Sequence, residues 1–309
     1  MPYHVWMRVL VTGATGFIGN KLTRTLVADG HTVQILTRNP EQARKVFQTG
    51  VTAFPWNPEG ELPPSEALSE VEVVFNLAGE SIAEKRWSPS QKKRIHDSRI
   101  LGTRNLIEGM RKLDNKPRTL VSASAIGFYG EHGNEIVDES TRAGTGFLAD
   151  VCREWEEELD RANLPGLRIV KIRIGIVLGL GGGALKQMLP LFRLGLGGPI
   201  GGGKQWMSWI HIDDLIALFL FSAKEGGVKG ALNGVAPTPV TNAEFSKALG
   251  QALHRPALLP APSLALRIVL GEMSQMVLEG SKVIPKRASE VGFPFRYTQI
   301  EEALNDICR

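Results

Sequence analysis

Cysteine occurs only twice, at Cys152 and Cys308, far apart and without histidine or cysteine partners at metal-binding spacing. A disulfide framework and a structural metal are therefore not expected, and a reducing compartment is the simpler reading. Long apolar runs are also lacking. The longest after the N-terminal region, Leu215 to Ala223, is too short to cross a bilayer, and Met1-Pro2-Tyr3-His4-Val5-Trp6-Met7 has no basic stretch leading into a signal-length apolar run. These absences predict a soluble, cytoplasmic protein with no metal and no membrane partner. No block of consecutive basic residues with interleaved aromatics occurs, so no nucleic-acid partner is expected. The net charge of +4 leaves only a few cations for a local anionic ligand. Tyrosine occurs three times, at Tyr3, Tyr129 and Tyr297, and the residues four positions on are Met7, Gly133 and Glu301.

What is present is core-forming material: 43% hydrophobic against 22% charged residues, enough for one large α/β unit with a dependent lobe in 309 residues. The first 175 residues alternate short β-branched runs with longer amphipathic segments, the pattern of a parallel sheet with helices on both faces. Strands are predicted at 8–12, 32–36, 51–54, 73–76, 120–123 and 167–173, and helices at 17–28, 88–112 and 146–162. Ten glycines then fall between Gly179 and Gly203 around one short helical stretch, 184–194, which reads as a mobile or cofactor-facing loop region. Thr241-Asn242-Ala243-Glu244 opens a helix with a capping-box pattern, and 300–307 closes the chain as a helix.

The sharpest motif is Val11-Thr12-Gly13-Ala14-Thr15-Gly16-Phe17-Ile18-Gly19, between the first strand and the first helix. Glycines there permit a tight turn and let backbone N–H groups approach a pyrophosphate, and the helix N-terminus favours the anion. Gly13, Thr15, Gly16, Phe17, Ile18 and Gly19 are the predicted phosphate-side contacts. A side chain at Gly13 should block the pyrophosphate and leave the fold largely assembled. The second strand ends in Leu36-Thr37-Arg38-Asn39-Pro40, with no acid to take a ribose 2′-hydroxyl; Thr37 and Arg38 suit a 2′-phosphate, which favours NADP(H) over NAD(H).

Three segments carry a family resemblance. Asn76-Leu77-Ala78-Gly79 resembles the N-x-A-G segment of short-chain dehydrogenases, Ser122 through Gly130 resembles the S-S-x-x-V-Y-G segment of the extended branch, and Trp209-Ile210-His211-Ile212-Asp213-Asp214 resembles its F-V-H-V-D-D motif. Asn76 to Glu80 running into Arg86-Trp87, the string Pro190 to Gly201, and Leu278-Glu279-Gly280 with Ile284-Pro285-Lys286-Arg287 are similar to an "epimerase family" subgroup of the NAD(P)-dependent epimerase/dehydratases with a C-terminal segment of unknown function. The resemblance implies a Rossmann-type doubly wound parallel sheet with a smaller C-terminal α/β substrate lobe. Residues 1–178 would be the NADP-binding domain, its sheet completed from within 205–240, and 179–309 mostly lobe and C-terminal segment. It also implies cofactor contacts at Leu77, Ala78, Gly79, Ser122 and Ser124, and nominates Arg94 and Arg99 on the helix after the fourth strand.

The Tyr-x-x-x-Lys pair that moves the proton in ordinary members is absent, and counting back from Tyr129-Gly130 puts Ala125 at the usual Ser/Thr position. Two readings follow. Either an oxidoreductase or epimerase of a small-molecule substrate handles the proton with another group, Glu80, Tyr129, Asp150 or His211, or chemistry has been lost and NADP(H) serves a sensor or scaffold. Plastid and cyanobacterial members of the subgroup are associated with organelle or cell division, which suits the second reading. Lys186, Arg193, Lys204, Gln205, Trp206 and Trp209 outline where an anionic or nucleotide-linked substrate would lie, or else pack the lobe. The state of assembly is expected to be monomer or homodimer.

Overall fold

The structure, a computed structural model, describes residues 6–309; the reading of Met1–Val5 lies outside them. The first half runs β1 (Arg8–Thr12), α1 (Phe17–Ala28), β2 (Thr32–Thr37), α2 (Pro40–Phe47), β3 (Val51–Pro55), α3 (Ser65–Leu68), β4 (Val73–Asn76), α4 (Pro89–Arg111) and β5 (Thr119–Ala125). A strand covered on both faces must be apolar at successive positions. In β1, Val9 and Val11 enter one core with Leu22, Leu26 and Phe219, while Leu10 between them enters another with Val74, Leu106 and Leu120. Helix starts follow capping chemistry. Ser88 accepts the Gln91 N–H ahead of α4, with Pro89 at the first helical position, and Asn39 does the same for α2 ahead of Pro40.

The second half runs β6 (Ile136–Val137), α5 (Phe147–Asp160), β7 (Arg168–Ile174), β8 (Ile176–Leu178), α6 (Gly183–Arg193), β9 (Trp206–Met207), β10 (Trp209–His211), α7 (Ile212–Lys224), β11 (Gly230–Gly234), β12 (Val240–Thr241), α8 (Asn242–Ala252), α9 (Ser263–Leu270), α10 (Gln275–Leu278), β13 (Lys282–Val283), α11 (Lys286–Glu290) and α12 (Ile300–Cys308). Seven strands form one sheet in the order β3-β2-β1-β4-β5-β7-β11, all pairs parallel. The chain reverses its direction of winding between β1 and β4, which opens a crevice at their C-terminal ends. From 205–240 only β11 joins this sheet; β9 and β10 pair with β12 and β8 in two-stranded ladders.

A further core joins Leu178, Leu185, Trp209, Phe245 and Leu304, so β8, α6, β10, α8 and α12 pack as a lobe. The capping box opening α8 is present in full: Thr241 and Glu244 each satisfy the other's backbone N–H. The C-terminal segment is stitched back to the sheet. β13 pairs with β6, and Arg287 donates to the Ala231 and Lys229 carbonyls at the edge strand β11.

Candidate functional site

At the mouth of the crevice, Gly13 has φ of +68°, and a Cβ there would lie 2.5 Å from the Leu77 carbonyl oxygen. A Cβ at Gly19 would run into the Gly13 carbonyl. The turn is thus pressed against the end of β4, and α1 is pressed against the turn. A side chain at Gly13 would push the turn off β4 whether or not a pyrophosphate is there. This corrects the expectation that such a change leaves the fold assembled. Gly16 is the N-cap of α1 and brings no side chain to the first-turn N–H groups of Phe17, Ile18 and Gly19. An uncapped helix start suits an anion. Thr15 is exposed beside it, and the Phe17 ring packs under Gly179, Gly182 and Gly183, so the first glycines of the rich segment lie over the phosphate turn.

Arg38 stands exposed at the tip of β2 with no hydrogen bond or ion pair among the described residues. The Thr37 hydroxyl accepts the Asn39 N–H at 3.2 Å and keeps its own proton to donate. Across the switch point, the buried Thr12 hydroxyl accepts the N–H groups of Leu77 and Ala78 at 3.1 and 3.0 Å and donates to Asn76. The Asn76 amide in turn donates to Thr103 and Ser122. This polar node ties β1, β4, β5 and α4 together and sets the path of Leu77, Ala78 and Gly79. Below Gly79 lies the Arg99 guanidinium, donating to the Glu80 and Ile95 carbonyls at 3.0 Å and stacked 5.4 Å from the Trp155 ring centre. It has no ion-pair partner among the described residues, and enclosure by protein lowers its pKa. Arg94 turns outward, with its guanidinium on the Gln91 side-chain oxygen.

Ser122 and Ser124 are corrected as cofactor contacts. Both are buried on the inner face of β5, where Ser122 donates to the Ala123 carbonyl and Ser124 to Glu156 at 2.7 Å. Tyr129 is corrected as a proton carrier: it is fully buried, donates to Asn233 at 2.7 Å and accepts from Arg173 at 2.9 Å. Burial pushes its pKa up to about 12 despite the neighbouring guanidinium. His211 is buried as the N-cap of α7, its Nδ1 accepting the Asp213 N–H, and burial lowers its pKa even with Asp213 and Asp306 nearby. Asp150 sits half-exposed in the first turn of α5, paired with Arg153. Glu80 alone of the four lies in the segment that follows β4, its carboxylate mostly covered and accepting from the Gln91 amide at 3.3 Å with Arg94 at 4.0 Å. Trp209 is core, and Trp206 is held by Asn134 under Lys282.

The sequence reading missed the buried pair Glu156–Arg173, bidentate at 2.8 Å, with the Arg173 guanidinium 3.5 Å from the Phe128 ring centre. Burial alone would raise the Glu156 pKa, but Arg173 outweighs it and holds it low. The available signal was the alternation of Lys171 and Arg173 with apolar residues in β7, a strand expected to be covered on both faces. On α5, Leu148 and Cys152 are four residues apart and meet Gly127 just beyond β5. Burial pushes the Cys152 thiol up to about 12, so it is no thiolate at neutral pH.

The strand order, the glycine turn at an uncapped helix and the crevice at the switch point define a Rossmann-type fold of the short-chain dehydrogenase kind. The chain belongs to the NAD dependent epimerase/dehydratase family, which residues 9–233 match, while residues 261–307 match a domain of unknown function, DUF1731. It is 43% identical to the chloroplastic "Epimerase family protein SDR39U1 homolog" of Arabidopsis thaliana, over 97% of this chain and 86% of the relative. It is 39% identical to the Homo sapiens "Epimerase family protein SDR39U1", over 97% and 99%. A crystal structure of the human SDR39U1 protein (isoform2) with NADPH superposes with a TM-score of 0.87 at 37% identity, covering 98% of this chain and 99% of that one.

Proposed function

We propose that this protein binds NADP(H) in the β1/β4 crevice and acts as an oxidoreductase or epimerase on a small-molecule substrate, with Glu80 in place of a phenol as the proton-handling group. The observation that carries the cofactor is Arg38, an unpartnered cation at the β2 tip beside the Thr37 hydroxyl, where an NAD site would hold an acid. The uncapped first turn of α1 would take the pyrophosphate, and Arg99 the ribose and nicotinamide side beneath Gly79. When bound, the nicotinamide supplies or accepts a hydride at C4. Glu80 supports the proton role by position, and the Gln91 amide and Arg94 orient its carboxylate.

The buried Tyr129, the committed Ser124 and the Leu148–Cys152 face of α5 favour a second reading, an NADP(H)-dependent sensor or scaffold without turnover, of use in cell or organelle division. Titration of NADPH and NADH against the wild type and Arg38→Ala tests the cofactor. NADPH should bind at least tenfold tighter than NADH, and the variant should lose about 1.5–3 kcal/mol for NADPH only. Equal affinities in the wild type would refute it. Turnover of a panel of carbonyls and nucleotide sugars with NADPH then separates enzyme from sensor.

A further inference from the structure

Eight of the twelve strongly exposed large apolar side chains among the described residues fall in two short stretches: three leucines between 191 and 196, and five aliphatics between 258 and 269. The most open are Leu258 at 81%, Leu194 at 72%, Leu264 at 70% and Ile268 at 68%. Hydrogen bonds from Leu259 N–H to the Gly197 carbonyl, Ala261 N–H to the Pro199 carbonyl and the Arg255 guanidinium to the Arg193 carbonyl join the stretches into one face. Helix α9 lies in this face and has no buried residue at all. Exposed aliphatic area this concentrated marks a contact surface.

Its charge is predominantly positive. From Gly179 to Ile212 and from Phe245 to Gly271 the sequence holds Lys186, Arg193, Lys204, Lys247, Arg255 and Arg267 and no aspartate or glutamate. Glu244 stands exposed one turn before Lys247 on α8, and Glu272 and Glu279 lie past the end of α9, Glu272 engaged by Lys92 and Glu279 near Arg267. A groove walled by Pro199, Lys247, His254, Arg255 and Leu258 opens beside the leucines, with basic groups over an apolar floor.

We propose that this face docks on an anionic lipid bilayer, with the exposed leucines and Ile268 entering the headgroup boundary and the flanking cations on lipid phosphates. Charge complementarity selects this occupant. A second copy placed across a twofold axis would set this net positive face against itself, with Glu244 and Glu279 too few to offset six cations. A protein partner is disfavoured because the face is aliphatic, without the tryptophan and tyrosine anchors that carry protein interfaces. The earlier expectation of no membrane partner rested on the lack of a spanning run, which does not bear on surface docking. Among the described residues no helix is long and apolar enough to cross a membrane.

Flotation of the full chain with phosphatidylcholine vesicles, with or without phosphatidylglycerol, tests this. The wild type should float with the anionic vesicles and lose binding as salt rises. Leu258→Asp/Leu264→Asp/Ile268→Asp and, separately, Lys247→Glu/Arg267→Glu should each weaken it about tenfold or more with unchanged thermal midpoints, since every replaced side chain is exposed. No flotation on anionic vesicles, or flotation of both variants at wild-type level, overturns the proposal. So does a wild-type dimer in light scattering that the leucine variant dissolves, which would make a second copy the occupant.

Discussion

At the scale of single residues, the sealed position of Tyr129 and the position of Glu80 just after β4 carry opposite consequences for mutation. Tyr129→Phe removes a donor from Asn233 and an acceptor from Arg173 in a sealed interior, a loss of about 1–3 kcal/mol of stability. A phenol held there should have no part in turnover, so activity per folded molecule and NADPH affinity should stay at wild-type level. Glu80→Gln should do the reverse, leaving the denaturation midpoint in place and lowering any turnover by about a hundredfold or more. Denaturant titration paired with turnover of the two variants decides the matter; loss of activity in Tyr129→Phe alone, with the fold intact, would return the proton role to the phenol. The residue types at this site were legible in the sequence, but their directions were not. On a strand, alternate side chains face opposite ways, and a motif match at Ser122 and Ser124 does not say whether that side is the crevice or the α5 interface.

At the scale of elements, strand and helix positions were largely readable, because covered parallel strands demand apolar runs and helix starts demand capping residues. The Thr241–Glu244 box was foreseen from local sequence alone. The stacking of the phosphate turn on β4 was not, since Leu77 lies more than sixty residues from Gly13 and only the fold brings them together. The His211 cap carries a pH signature. Burial lowers its pKa below the ordinary 6.5, so the unfolded chain takes up the proton before the folded one does. The stability owed to a neutral ring is therefore complete above pH 6.5 and declines as the pH falls below it. His211→Asn keeps a side-chain acceptor at the cap and removes the titration. Its midpoint should converge with, or overtake, that of the wild type on acidification from neutral pH. His96, raised by its hydrogen bonds to Asp97 and Glu154 in spite of burial, runs the opposite way in both proteins and cancels in the difference. Parallel curves for wild type and variant would show that the cap does not titrate.

At the scale of the whole molecule, the C-terminal segment is where sequence reasoning was thinnest and the structure is most specific. Its local pattern gave no sign that Val283 would seal a small core with Tyr129 and Val137, or that Tyr297, Ile300 and Leu304 would complete the core of the lobe. Those partners lie as far as 150 residues away, and no local periodicity encodes such a distance. Asp214 on α7 adds a polar latch by accepting the N–H groups of Arg296 and Tyr297. Each large aliphatic side chain buried in this way is worth about 1.5–3 kcal/mol, and several together match the whole stability of an ordinary domain, about 5–15 kcal/mol. A chain ended after Pro260 should therefore lose its cooperative thermal transition and be cut rapidly by protease throughout the lobe and at the exposed edge β11. If the truncated chain still melted cooperatively and bound NADPH like the intact one, residues 261–309 would be an appendage on a self-sufficient fold. The contacts of Val283, Arg287 and Leu304 would then be consequences of docking, with no part in holding the molecule together.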